Sequence, residues 1–132
     1  MEVVEYKKES HLKFIENWLV AHELSVDLAK DLPRIGFLAF DNELGVAAGF
    51  LRLVESDYLI LDSLITNPKA YSGSRDMAID LVVKKLIEKA KEMKKYKLIA
   101  NSTDTNTLLR SKKHGFKETP HTMIVLDLRE DG

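Results

Sequence analysis

The stretch Asp62-Ser63-Leu64-Ile65-Thr66-Asn67-Pro68-Lys69-Ala70-Tyr71-Ser72-Gly73-Ser74-Arg75-Asp76-Met77-Ala78 decides how the chain is read. Its first part closes a nearly continuous apolar run, Tyr58–Thr66, which suits a strand buried on both faces of a sheet. Asn67-Pro68 ends that run, and a small, polar loop over 69–74 follows. The spacing then changes to that of a helix over Arg75–Met93, with an apolar stripe of Met77, Ala78, Leu81, Val82, Leu86, Ala90 and Met93. The lysines beyond it are interrupted by Asp80, Glu88 and Glu92 and read as a solvated helix face rather than a nucleic-acid patch.

Upstream, Glu2–Tyr6 reads as a short strand. Ser10 is the expected cap of a helix carrying Leu12, Ile15, Trp18, Leu19 and His22 at helical spacing. Ser25 caps a second short helix that ends before Pro33, which cannot sit in a helix interior. Ile35–Phe40, Val46–Val54 and Tyr58–Thr66 are strands joined by the turns at Asp41-Asn42-Glu43 and Ser56-Asp57, an antiparallel meander. Downstream, Tyr96–Ala100 is a strand, and Asp104 or Thr105 caps a short helix ending at His114, with Gly115 beyond it. Phe116–Leu128 alternates Thr122, Ile124, Leu126 and Leu128 and predicts one or two further strands.

Composition narrows the chemistry. In 132 residues there is no cysteine, which excludes disulfides and a thiol nucleophile, and the net charge of −1 gives no drive toward nucleic acid or an anionic membrane. His11, His22, His114 and His121 are not paired at a metal-ligand spacing, so no metal site is expected. The N-terminus is charged from Glu2, unlike a secretory signal, and no apolar run approaches a membrane span. A single cytoplasmic α+β domain over 1–132 is expected, with helices over a mixed sheet.

With these segments in place, the chain resembles the GNAT N-acetyltransferases. The resemblance rests on Phe40-Asp41-Asn42-Glu43 with Gly49-Phe50-Leu51-Arg52-Leu53, on Asp62–Pro68 with the loop, Arg75 and Ala78, and on Asn101–Phe116 ending in His114-Gly115-Phe116. It implies the acyl-CoA N-acyltransferase fold: a mixed, mostly antiparallel sheet of six or seven strands with about four helices in three layers. It also implies acetyl-CoA as co-substrate, a primary amine of a small molecule or protein as acceptor, direct attack in a ternary complex, and dimers through the late strands.

By the same resemblance, Leu64, Ile65 and Thr66 lie beside the acetyl group and pantetheine arm, on a strand that a bulge splays from the next. Ser72, Gly73, Ser74, Arg75, Asp76, Met77 and Ala78 hold the pyrophosphate, and Asn101 and Asn106 flank the arm. A helix N-terminus with open amides suits a phosphate. The family's Arg/Gln-x-x-Gly-x-Gly/Ala loop is matched at Arg75, with Ala78 in place of the first glycine. Asp76, read as a first-turn carboxylate, competes with a phosphate there.

Asp62 is the candidate general base, being a lone charge within Leu59–Ile65. It fits equally well as an ion-pair partner of Arg52 or as a solvated strand-end residue. Ser111 occupies the place of the family's acidic tyrosine, four residues before Gly115, where it can hydrogen-bond the coenzyme sulfur but cannot replace a phenol as an acid. That substitution keeps open a second reading, a GNAT-fold binding protein without catalysis.

Overall fold

The computed structural model describes residues 1–102, 105–122 and 124–128. Main-chain contacts divide the chain into two compact units, Met1–Asn101 and Ser102–Gly132. The first holds β1 (Glu2–Glu5), α1 (Lys8–Ala21), a 3-10 helix (Val26–Asp31), β2 (Ile35–Asp41), β3 (Leu44–Leu53), β4 (Tyr58–Thr66), α2 (Ser72–Glu92) and β5 (Lys97–Ile99). The second holds α3 (Thr105–Lys113).

The five strands form one sheet in chain order, β1-β2-β3-β4-β5. The first four pair antiparallel through short turns, whereas β5 pairs parallel with β4 after the α2 crossover. Parallel neighbours require such a crossover, and a helix is its usual form. Each sheet face is covered. Phe37, Ala39, Ala47, Leu51, Leu59 and Leu64 pack with Ala78, Val82 and Leu86 of α2. Leu38, Ala48, Phe50 and Ile65 pack with Ile15, Trp18 and Leu19 of α1. Alternation of neighbours such as Ala47 and Ala48 between the two clusters is the period-two rule at work, and it places the sheet between α1 and α2.

Two registers slip. Between β2 and β3 the irregularity lies at Ala39/Phe40, and between β3 and β4 at Gly49/Phe50, where Gly49 pairs with Leu64 but Phe50 with Asp62. Ser63 is the extra residue, and its φ of 58° is left-handed. The bulge lets Leu61 and Leu64 share the α2 face although they are three apart. Leu64 fits because Gly49 opposite has no side chain: a Cβ there would stand 2.7 Å from Leu64 Cδ2, 2.9 Å from Val82 Cγ1 and 3.0 Å from Leu86 Cδ1.

Several sequence expectations need correction. The cap of α1 is Lys7, not Ser10, and no side chain closes it. Instead the Lys7 amide donates to His11 Nδ1 at 2.9 Å, so an imidazole one turn on reaches back to the cap residue's own amide. Helix α2 begins at Ser72, three residues before the expected Arg75, because the small residues of the expected loop enter the first turn. Among the described residues the sheet has five strands rather than six or seven. None of the described part of 116–128 is strand, and Ile124, Leu126 and Leu128 are exposed. Alternation specifies which face a strand buries, but it supplies no edge to pair with. Asp104 lies outside the described residues; Ser25 caps the 3-10 helix as expected, accepting from the Asp27 amide at 3.1 Å. Gly115 has the expected positive φ, 94°.

Two predictions follow from this packing. His11 sits near Tyr6, Phe14 and Phe40, and burial, then the charge of Lys7, lowers its pKa from 6.5. A base with a depressed folded pKa binds fewer protons folded than unfolded. Its contribution is therefore complete above the unfolded value near 6.5 and is lost as pH falls through the folded one. Urea midpoints measured across that window should fall with acid more steeply in the wild type than in His11→Phe. At Gly49, alanine forces Leu64, Val82 and Leu86 apart, and Gly49→Ala should cost about 1–3 kcal/mol in chemical denaturation.

Candidate functional site

The site is built at the place where β4 and β5 part. Pairing with β5 covers Tyr58, Leu59 and Ile60 only, opposite Lys97, Leu98 and Ile99. Beyond Ile60, β4 runs on to Thr66 through the Ser63 bulge, with β3 as its single strand neighbour among the described residues. The amide of Asn67 donates to the Val46 carbonyl at 2.8 Å. By the alternation of an antiparallel ladder, Ile65 also turns its main-chain groups toward β3, and Leu64 and Thr66 turn theirs away. A short run of open β4 edge results. The side chains of Leu64 and Ile65 belong to the two cores, so only their main chain is free for a ligand.

Asn67 then pins the turn that leads to α2. Its side chain is buried, donates to the Gly45 carbonyl at 2.9 Å and accepts from the Lys69 amide at 3.0 Å, and its own carbonyl accepts from the Ala70 amide at 3.1 Å. Sequence reading used Asn67 only as a landmark; its positioning role has no signature beyond the Asn-Pro pair.

Helix α2 opens without a side-chain cap. Its first main-chain bond runs from the Arg75 amide to the Tyr71 carbonyl at 3.1 Å, which leaves the amides of Ser72, Gly73 and Ser74 without intrahelical acceptors. Gly73 lies against the Tyr71 ring, 3.0 Å from where a Cβ would be. Its φ is not positive, so what the glycine supplies is room rather than an unusual backbone. No acidic residue stands in the first turn, and the expected competition from Asp76 is thereby moved to the second turn. Ser74 and Ala78 are buried, Ala78 in the core beneath α2; Arg75 is half-buried and Met77 exposed.

On the α1 face of the sheet, just before the bulge, Arg52 Nε donates to Asp62 Oδ2 at 2.5 Å and Ser63 Oγ donates to Asp62 Oδ1 at 2.8 Å. Arg52 Nη2 also donates to the Asp31 carbonyl at 2.6 Å. The hydrogen bond to Asp62 raises the Arg52 pKa, against partial burial and with help from the Asp62 and Asp31 charges. Asp62 is thus the partner of Arg52, one of the readings open in the sequence, and a quarter of its side chain remains exposed (26%). At the far end of β4, His22 Nε2 lies 2.9 Å from the Thr66 carbonyl oxygen and 3.3 Å from Thr66 Oγ1. Sequence reading placed His22 only on the helical stripe.

Of the remaining candidates, Asn101 is exposed just beyond β5 in the first unit. In the second unit, Asn106 is exposed near the start of α3, and Ser111 Oγ donates to the Leu108 carbonyl at 2.7 Å within the same helix. Among the described residues no group of three or more His, Asp or Glu side chains gathers as a metal site would need, and no helix is long and apolar enough to cross a membrane.

No protein-family model matches the sequence, and no curated protein matches it. Solved structures do match in fold. A GNAT-family acetyltransferase from Streptococcus pneumoniae superimposes with a TM-score of 0.71 at 14% identity, covering 97% of this chain and 98% of that one. The ribosomal-protein-S18-alanine N-acetyltransferase of Escherichia coli gives 0.70 at 15% identity, covering 89% and 78%. A Mycobacterium tuberculosis protein solved in complex with CoA gives 0.67 at 16% identity, covering 92% and 76%. At such identities the likeness is one of fold, and with the bulged β4, the open edge and the uncapped α2 already described, the chain has the fold of the GNAT N-acetyltransferase superfamily.

Proposed function

We propose that this protein is an acyl-CoA-dependent N-acetyltransferase that transfers an acetyl group from acetyl-CoA to a primary amine by direct attack in a ternary complex. The observation that carries the reading is the open β4 edge around the Ser63 bulge, followed directly by the uncapped N-terminus of α2. An extended amide-bearing arm can bond such an edge as a further strand would. A pyrophosphate can take the amides of Ser72, Gly73 and Ser74, with Arg75 as its charged partner. The CoA complex of the structural neighbour from Mycobacterium tuberculosis supports that choice of ligand.

In this reading the main-chain amide of Leu64 points at the thioester oxygen and stabilises the charge that develops there. The amine lone pair attacks the carbonyl carbon, the C–S bond breaks, and coenzyme A leaves as a thiolate, which takes up through solvent the second proton that the newly acylated nitrogen sheds. Asp62 receives the proton that the ammonium must shed: each carboxylate oxygen accepts one bond in the structure and retains a lone pair for another. Arg52 and Ser63 hold the carboxylate in place for that task.

A second reading, acetyl-CoA binding without transfer, is favoured by one observation: Ser111, in the place of the expected acid, spends its hydroxyl proton on Leu108 within its own helix. The two readings separate in one assay, free thiol release from acetyl-CoA against a panel of amines. Transfer predicts acceptor-dependent release; binding without release on any amine supports the second reading. Arg75→Ala should raise the Kd for CoA about tenfold in calorimetry. Asp62→Asn should lower turnover on the order of a hundredfold near neutral pH with CoA affinity kept, and unchanged turnover removes Asp62 as the base.

A further inference from the structure

The contact between His22 and Thr66 has no part in the scheme above, yet it occupies the edge that the scheme uses. A carbonyl oxygen can only accept, so His22 Nε2 carries a proton and donates to Thr66 at 2.9 Å. The Thr66 carbonyl is one of the two that β4 turns outward beyond the bulge, the other being that of Leu64. The ring is held there by the end of α1. The His22 amide is bonded to the Trp18 and Leu19 carbonyls, Glu23 takes a left-handed φ of 60°, and the Leu24 amide returns to the Leu19 carbonyl at 2.8 Å. This closure fixes where the imidazole emerges.

We propose that His22 is a displaceable cap on the open β4 edge, holding the Thr66 carbonyl until an extended amide-bearing ligand, the pantetheine arm of an acyl-CoA, replaces it. The proposal rests on the acyl-CoA reading and adds a residue that the reading does not use. An unpaired strand edge is a template for unwanted pairing, and covering it is a general remedy. A histidine suits the task because it donates one hydrogen bond and leaves as a single side chain, with no main-chain rearrangement. It also sets a threshold: any ligand must exchange one hydrogen bond for another, so a ligand without an amide at that depth of the edge cannot replace what it removes.

Calorimetric titration of CoA into the full chain and into His22→Ala tests the exchange, together with the ring 15N signals of His22 in the wild type. The expected result is a Kd about fivefold lower in His22→Ala, the size of one net neutral hydrogen bond. In the wild type the ring 15N shifts of His22 should move away from those of an imidazole bonded through Nε2–H as CoA saturates. An unchanged or higher Kd in His22→Ala, or His22 ring 15N shifts that stay unchanged with CoA bound, overturns the proposal while leaving the acyl-CoA reading intact. Failure of CoA to bind either protein overturns both. The wild-type spectrum decides the matter even where the variant folds poorly.

Discussion

One residue too many in β4 governs the rest of the molecule. A regular strand from Tyr58 to Thr66 could keep a partner along its whole length on each side. The extra residue at Ser63, held at a left-handed φ, keeps the ladder to β3, while β5, three residues long, pairs with Tyr58–Ile60 before the bulge. A non-glycine residue in that conformation costs on the order of 1 kcal/mol, and it persists because both flanks are fixed. Leu64 is set against Gly49 on the α2 face, and Asp62 is bound to Arg52 on the other. Strain of this kind is a common attribute of sites where a ligand meets the backbone.

The polar groups around the bulge are arranged to leave main chain, rather than side chains, on offer. Arg52 joins Asp62 to the carbonyl of Asp31 and so ties the 3-10 helix to the sheet. Asn67 spends both ends of its amide on the turn between β4 and α2. Among the described residues no buried side-chain nitrogen or oxygen lacks a partner. In the proposed reading the coenzyme meets chiefly the edge of β4 and the first amides of α2, main-chain groups that no side-chain substitution deletes, and Arg75 adds charge to them. A sequence can therefore drift far from its structural neighbours and keep the same main-chain arrangement.

This also explains what the sequence discloses and what it hides. The meander was legible because its strands are bounded by Asp41-Asn42-Glu43 and Ser56-Asp57, and α2 because its apolar stripe runs from Ala78 to Ala90. The bulge left a trace that only the fold makes readable: Leu59 and Leu61 are odd-numbered, Leu64 is even, and all three face α2. A slip of phase across Asp62-Ser63 is the mark of an inserted residue. The start of α2 was misplaced because Ser72, Gly73 and Ser74 have the composition of a loop, and only Tyr71 with its extended backbone marks the true boundary. His11 and His22 were invisible as hydrogen-bonding residues, since a partner four residues back and another forty-four residues on leave no local pattern. The alternation through Ile124, Leu126 and Leu128 spoke for a strand, but pairing is a property of two segments and one sequence window holds only one.

The order of strands in the sheet has a kinetic side. From β1 to β4 each strand lies beside the strand that precedes it, and β2, β3 and β4 are joined by short turns, so those contacts close short loops and can form early. The joint between β4 and β5 is different: it must wait for the whole of α2 to be laid down before the Tyr58–Ile60 ladder, the bond from the Tyr96 amide to the Asp57 carbonyl and the packing of Leu98 can form. By loop-closure entropy, β5 is expected to join the sheet after the meander has formed. Native-state hydrogen exchange would then find the weakest amides of the sheet beside the edge proposed for the acyl-CoA.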